Sequence, residues 1–277
     1  MDGRTAEQMN ATIVIPVFNQ LHYTRQCLDS LNASGCSDEM IVVINNASTD
    51  GTLQYLSDRP ALRAVNNLEN RACAAAWNQG FQAGKTKWTV FLNNDVVLPP
   101  RWLENLVAFA EKEKVDIACP AIGEGDLDYD LTSHARGYVA RMEGVQRKNK
   151  AHGVCFMVHR RVMETIGGFD ENFQKGGNED EDFFIRARQA GFRLAVTGGS
   201  YLHHFGSVTQ KALAAERGST RDETVGYFRS KWKITWFRRR CMQWQRKLVG
   251  TWWRWTERLR HGHTLCEWHM NGKTYYR

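Results

Sequence analysis

An α/β fold built around a mostly parallel sheet is what this sequence predicts, and three observations predict it. Short apolar runs alternate with stretches of helical periodicity, the pattern of βαβ units. At 277 residues the chain can bury a full core and hold one large domain with an appendage. Within Trp88 to Pro99 (WTVFLNNDVVLP) a strand-forming run stops at Asn93, Asn94 and Asp95, then resumes as Val96, Val97 and Leu98. A carboxylate there sits at the carboxyl end of a strand, the edge of an open α/β sheet where ligands bind. A hard oxygen ligand suits a divalent cation that already carries phosphate oxygens, so Asp95 is a candidate metal ligand. A polar turn between two strands is the plain alternative.

Taken in order, Thr12–Phe18 reads as the first strand, and Leu21–Leu31 as a helix ending towards Gly35. Met40–Ile44 is a second strand, followed by a polar loop, Asn45 to Gly51, that leads into a helix. Leu62–Val65 makes a weak third strand, Arg71–Ala83 a helix, Trp88–Leu92 the strand before Asp95, Trp102–Glu113 a helix and Asp116–Pro120 a strand. From Gly123 to Lys150 no period holds, which reads as a long loop or irregular hairpin able to carry substrate contacts. Val154–Val158 restores a strand, Arg160–Ile166 a short helix, and Glu179-Asp180-Glu181-Asp182 opens a helix running to Ala190. Four acids at a helix start suit the positive end of its dipole, a structural role that needs no chemistry.

The charge is uneven. Residues 225–277 hold 13 Lys/Arg against 2 Asp/Glu, whereas residues 1–224 hold 24 against 28. Seven scattered cysteines without a Cys-x-x-Cys pair suggest neither a zinc site nor a disulfide framework, and reduced thiols in a cytosolic protein are the simplest expectation. Residues 1–11 do not resemble a signal peptide, and no apolar run reaches the ~18 residues of a membrane span. Membrane contact is expected to be peripheral.

Three segments, IPVFN with its partner NNASTDGT, LNND, and GGFDENFQKGGNEDEDFFIRARQAGFRL, together resemble the family 2 glycosyltransferases of the GT-A fold, from about Thr12 to Thr209. The resemblance implies a Rossmann-like sheet flanked by helices and an inverting, metal-dependent transfer of a hexosyl-type sugar from a nucleotide diphosphate donor to an acceptor hydroxyl. It puts the nucleotide against Pro16, Phe18, Asn19, Asn45 and Asp50. Asn45 stands where many members carry Asp, and Ser48 to Gly51 also reads as an ordinary helix cap. The family's Asp-x-Asp becomes Asn93-Asn94-Asp95. That leaves Asp95 to hold Mn2+ or Mg2+ jointly with the diphosphate, while Asn93 and Asn94 line the donor side. The late histidine of the family matches His204, with His203 beside it, in the run to Ser207; an imidazole would favour manganese. The Glu-Asp-x-Asp motif gives Asp180 as base, with Glu179 and Asp182 orienting it or binding acceptor hydroxyls, and Gly153 and Asp170 shaping the acceptor side.

Residues 1–224 are thus expected to form the transferase domain, and residues 225–277 a basic, Trp-rich helical extension. Phe237, Cys241, Trp244, Leu248, Trp252, Trp255 and Leu259 recur at helical steps of 4, 3, 4, 4, 3 and 4, with Arg239, Arg240, Arg246, Lys247 and Arg254 on the other face. That arrangement describes an interfacial helix on an anionic membrane, and packing against the body or a partner is the alternative. No nucleic-acid fold signature accompanies the basic stretch. The expected role is surface polysaccharide biosynthesis on a glycan or lipid-linked acceptor, at the cytoplasmic, inner face of the cell membrane. A catalytically idle nucleotide-sugar-binding or scaffold protein is the competing expectation, prompted by Asn45 and Asn93.

Overall fold

The first strand, β1 (Ala11–Val17), lies between two parallel neighbours, β2 (Ile41–Asn46) and β4 (Trp88–Leu92), and β3 (Arg63–Asn67) continues the parallel edge beyond β2. The structure, a computed structural model, describes residues 10–173, 176–206 and 221–276. Three helices form the crossovers of this half: α1 (Leu21–Ala33), α2 (Thr52–Ser57) and α3 (Ala72–Ala83). Nearly every residue of β1, β2 and β4 is buried, as strands covered on both faces require.

Beyond β4 the sheet turns mixed. The two-residue β5 (Val96–Val97) is followed by α4 (Trp102–Glu113) and by the long β6 (Ile117–Gly125). Then come α5 (Leu131–Met142), β7 (Gln146–Lys148), β8 (Cys155–His159), α6 (Arg160–Ile166), α7 (Glu179–Gln189) and β9 (Leu194–His204). β8 runs antiparallel between β4 and β6, and β9 runs parallel to β6 while accepting β5 and β7 as antiparallel partners. The register of β6 with β9 shifts between Pro120 and Ala121, which carries the end of β9 towards β5 and brings His204 opposite Val96.

The tail adds α8 (Arg221–Lys231), α9 (Trp236–His261), β10 (Cys266–Met270) and β11 (Lys273–Tyr276). β10 pairs parallel with β6, so the chain returns to the central sheet after α9. The helical reading of residues 225–277 therefore stops at His261. Gly123–Lys150, read as irregular, contains α5 and β7. Leu131, Ala135, Tyr138 and Met142 form the buried stripe of α5, and Asp130 caps it by accepting the Thr132 and Ser133 N–H groups at 3.0 and 3.2 Å. Four apolar positions among polar neighbours are a thin signal, and it is the sheet beneath them that holds the helix. Ser207 and the end of the family-like run at Thr209 lie outside the described residues.

Candidate active site

Each parallel strand ends in polar residues, and on the β1 and β2 side these bind one another. Asn19, held in the left-handed region at φ 53°, donates its backbone N–H to Ser48 Oγ at 2.8 Å and accepts from the Thr49 N–H at 2.7 Å. Asp50 accepts from the Leu21 N–H at 2.9 Å and from the Thr52 hydroxyl at 2.6 Å, so it ties together the starts of α1 and α2. Asn45, in register with Val17, donates to Asn66 Oδ1 at 2.9 Å and accepts from the Ser48 N–H at 3.0 Å. Pro16 and Phe18 stand beside this knot, each half-buried. Of the cap expected of Ser48 to Gly51, Gly51 takes the N-cap position of α2 without a side-chain bond, and Asp50 before it accepts the Thr52 N–H at 3.3 Å.

At the end of β4, Asn93 donates its backbone N–H to the Val154 carbonyl at 3.0 Å, and the Asn94 amide donates to Thr24 Oγ1 at 3.0 Å. Asp95 is 3% exposed, and its Oδ1 lies 3.4 Å from His204 Nε2. On the ring's other side Nδ1 lies 3.1 Å from Glu124 Oε1. Burial works against a proton on His204, but the hydrogen bonds with Asp95 and Glu124 outweigh it and lift the imidazole to about 9. Neighbouring side chains of a strand face opposite ways, so His203 turns from Asp95 to Tyr129, 2.9 Å from its Nδ1. Burial and nearby His269 lower His203 to about 4.

This donor set fits a divalent cation. A carboxylate oxygen and an imidazole nitrogen face each other at about the distance two ligands of one ion keep, and a carboxylate orients the imidazole from behind. Two protein ligands leave room for phosphate oxygens.

The third element is the start of α7. Asn178, at φ 69°, opens the helix. Glu179 is 4% exposed, and its Oε2 has no hydrogen-bond partner among the described residues. Burial, with the adjacent Asp180, pushes its carboxyl up to about 8. Burial also raises Asp180, against the hydrogen bond its Oδ1 accepts from the Glu181 N–H at 2.8 Å. Asp180 lies on the backbone of Gly153: a Cβ there would come 2.1 Å from Asp180 Oδ2. Only glycine permits this seat. Since Val154 accepts from Asn93, the segment Gly153–Val154 links Asp180 to the loop that carries Asp95.

Asp182 and Asp170 do something different. Fully buried Asp182 accepts from Arg186 Nε at 2.9 Å, Lys231 Nζ at 2.7 Å and Trp232 Nε1 at 3.0 Å. Asp170 accepts from the Tyr227 hydroxyl at 2.8 Å and Lys231 Nζ at 2.6 Å. Burial opposes its charge, yet Lys231 and its other donors hold the Asp170 carboxyl well below the usual range. Both acids fasten α8 across the body. Glu124, Tyr227 and Lys231 were not singled out by sequence reasoning: Glu124 lies in the stretch without a period, and the other two follow the end of the family-like run.

A family model described as glycosyl transferase family 2 matches residues 12–167, more than half of the chain. The chain belongs to that family. A second model, described as the N-terminal domain of galactosyltransferase, matches residues 139–208. Among family relatives, glycosyltransferase AglE of Haloferax volcanii is 26% identical, over 75% of this chain and 72% of its own length. The O-antigen biosynthesis protein RfbC of Myxococcus xanthus is 27% identical over 73% of this chain but only 18% of its own length. A crystal structure of GalNAc-T7 with UDP, GalNAc and Mn2+ superposes with a TM-score of 0.57 at 17% identity, covering 71% of this chain and 44% of that one. The shared architecture is the GT-A fold, a curled central sheet flanked by helices.

Proposed function

We propose that this protein is an inverting, metal-dependent glycosyltransferase that moves a hexosyl-type sugar from a nucleotide diphosphate to a hydroxyl of a glycan or lipid-linked acceptor in surface polysaccharide biosynthesis. The observation that carries the reading is the seat of Asp180 on Gly153, one residue from the Val154 carbonyl that holds Asn93. It brings an acid with raised proton affinity close to the loop of Asp95. The acceptor oxygen attacks the anomeric carbon from the face opposite the diphosphate. The carbon–oxygen bond to the diphosphate breaks, its electron pair stays with the phosphate oxygen, and the acceptor proton passes to the Asp180 carboxylate.

Asp95 and His204 would hold manganese or magnesium, with Glu124 orienting His204. Such a cation, when bound, neutralises the charge that develops on the departing diphosphate. Asn19, Asn45 and Asp50 shape the nucleotide loop through the bonds they make with one another's segments, and Pro16 and Phe18 flank it. The relatives support both halves of this reading: GalNAc-T7 was solved with UDP and Mn2+, and RfbC is named for O-antigen biosynthesis.

Asp180→Asn is the test. Turnover should fall by ~10²-fold or more, the worth of positioned proton transfer, while donor affinity and melting temperature stay near wild type. Unchanged turnover would remove Asp180 as base. Absence of released nucleotide from the wild type, across donors and with manganese, would favour the idle binding protein instead.

The acceptor side of the reading includes a membrane. No helix of the described residues is long and apolar enough to cross one. α9 is anchored at one face: Glu257 takes a two-pronged bond from Arg147, 2.8 Å at each oxygen, and Arg147 also covers the ring of Trp253. The opposite stripe, Trp244, Leu248, Trp252, Trp255 and Leu259, is 61–67% exposed. An anionic lipid surface at the inner face of the cell membrane matches that stripe and the Arg and Lys residues flanking it.

A further inference from the structure

Beyond the site described, one cluster of metal-type ligands among the described residues is unused. His134 on α5 and Glu267 and His269 on β10 point a ligand atom each into one space, all within 4.8 Å of one another. His134 Nε2 lies 3.2 Å and His269 Nε2 3.7 Å from Glu267 Oε2. Tetrahedral zinc with nitrogen and oxygen ligands at its usual bond lengths keeps them about 3.4 Å apart. The Tyr201 hydroxyl, 3.0 Å from His269 Nε2 and 3.5 Å from Glu267 Oε2, stands on a fourth side.

The surroundings are those of a held ligand set. His269 Nδ1 lies 3.2 Å from Thr274 Oγ1, which fixes the ring with Nε2 turned inward, and His263 Nδ1 lies 2.7 Å from the second oxygen of Glu267. Glu267 has no exposed surface, so its charge needs a partner inside the protein. β6 passes the cluster as Gly123, where a Cβ would come 2.0 Å from the Tyr201 hydroxyl and 2.8 Å from His269 Nε2. A side chain there would fill the space the ligands share.

From this geometry we propose a second, structural metal site in which His134, Glu267 and His269 bind zinc, with the Tyr201 hydroxyl or a water as fourth ligand. Imidazole and carboxylate suit zinc, and ligands drawn from two elements, α5 and β10, suit an ion that joins them. The ion would clasp β10, and with it the end of α9, to α5 of the body. It binds the folded chain and not the unfolded one, so it raises apparent stability.

The test uses the full chain, stripped with a chelator, loaded with zinc alone, desalted, and assayed for metal content and melting temperature without nucleotide. Stoichiometric zinc and a raised melting temperature are expected, and magnesium should produce neither. Retained zinc should drop to background in His134→Ala and His269→Ala, and should persist in Asp95→Ala and His204→Ala. Should the histidine variants fail to fold, the wild type loaded with cobalt serves: four-coordinate visible absorption supports the site, and six-coordinate absorption or none overturns it. Failure of wild-type protein to retain zinc would show that protons alone balance Glu267. Zinc lost with Asp95 or His204 would assign the ion to the donor side instead.

Discussion

The edge around Asp95 and the outward face of α9 solve opposite problems. At the edge, charged and polar groups are buried or half-buried, and each is steered by a neighbour: His204 between Asp95 and Glu124, Asp180 on Gly153, Asn93 on Val154. On α9, large apolar rings stand in the open and the helix is held from behind, through Trp253, Glu257 and the pairs Arg246–Glu181 and His261–Arg141. A buried carboxylate must be oriented to be useful, and the bonds that orient it also lock its surroundings. An exposed tryptophan face needs no such locking. Its energy is realised against a surface the protein does not contain. The edge should therefore fail by small displacements and the tail only by loss of many groups at once.

Asp95→Ala should break the edge most, lowering turnover by ~10²–10³-fold, the usual worth of one preorganised charge-stabilising group, and abolishing manganese-dependent donor binding in a titration by calorimetry. Full turnover in that variant, or undiminished wild-type activity in excess chelator, would end the assignment. Gly153→Ala should follow, because its Cβ cannot coexist with the present seat of Asp180. Turnover should fall at least ~10-fold with donor affinity kept, since a displaced base costs part of the ~10²-fold or more that it supplies. Equal activity would mean that the acid works elsewhere.

Asp182→Ala sharpens the contrast inside one motif. It strands Arg186, Lys231 and Trp232 around a buried position, so chemical denaturation should show a loss of about 3 kcal/mol. Turnover per folded molecule should change far less than in Asp180→Asn. On the tail, Trp244, Trp252 and Trp255 changed together to Ala should weaken sedimentation with anionic liposomes at every salt concentration. Arg239, Arg240, Arg246 and Lys247 changed to Gln should weaken it mainly at low salt. Wild-type protein that ignores such liposomes would leave the stripe to another partner.

A further effect concerns pH. Glu179 holds its proton up to about 8 in the fold, against 4.5 for the ordinary carboxyl. The folded state then binds more protons than the unfolded one in that window. The resulting stability is fully present below 4.5 and is lost as pH rises through 8. Glu179→Gln should flatten this fall in melting temperature between those limits, and a parallel curve for variant and wild type would contradict the assignment.

Much was legible in the sequence because it is local. The strands of the parallel half follow from apolar runs of Val, Ile and Phe, and Asp95 from its position where such a run breaks. Trp88–Leu92, Trp102–Glu113 and Arg160–Ile166 form with the bounds that periodicity predicts. The stripe of α9 was readable for the same reason: seven apolar positions keep the helical step. α5 and the β10–β11 hairpin were not, since their apolar positions are few and their stability comes from the sheet on which they lie.

What the tertiary structure alone decided is which polar groups meet. Sequence order names His203 and His204 together, but the opposed directions of neighbouring strand side chains turn one to Tyr129 and the other to Asp95. Glu179, Asp180 and Asp182 are one motif in the chain and three situations in space: an acid with no partner at Oε2 among the described residues, an acid seated on glycine, and an acid closed under α8. His134 and Glu267 are 133 residues apart in the chain and share one space because β10 pairs with β6. Apolar periodicity is written in each segment by itself. Contacts between distant polar side chains depend on the register of strands that meet only when the whole sheet is formed.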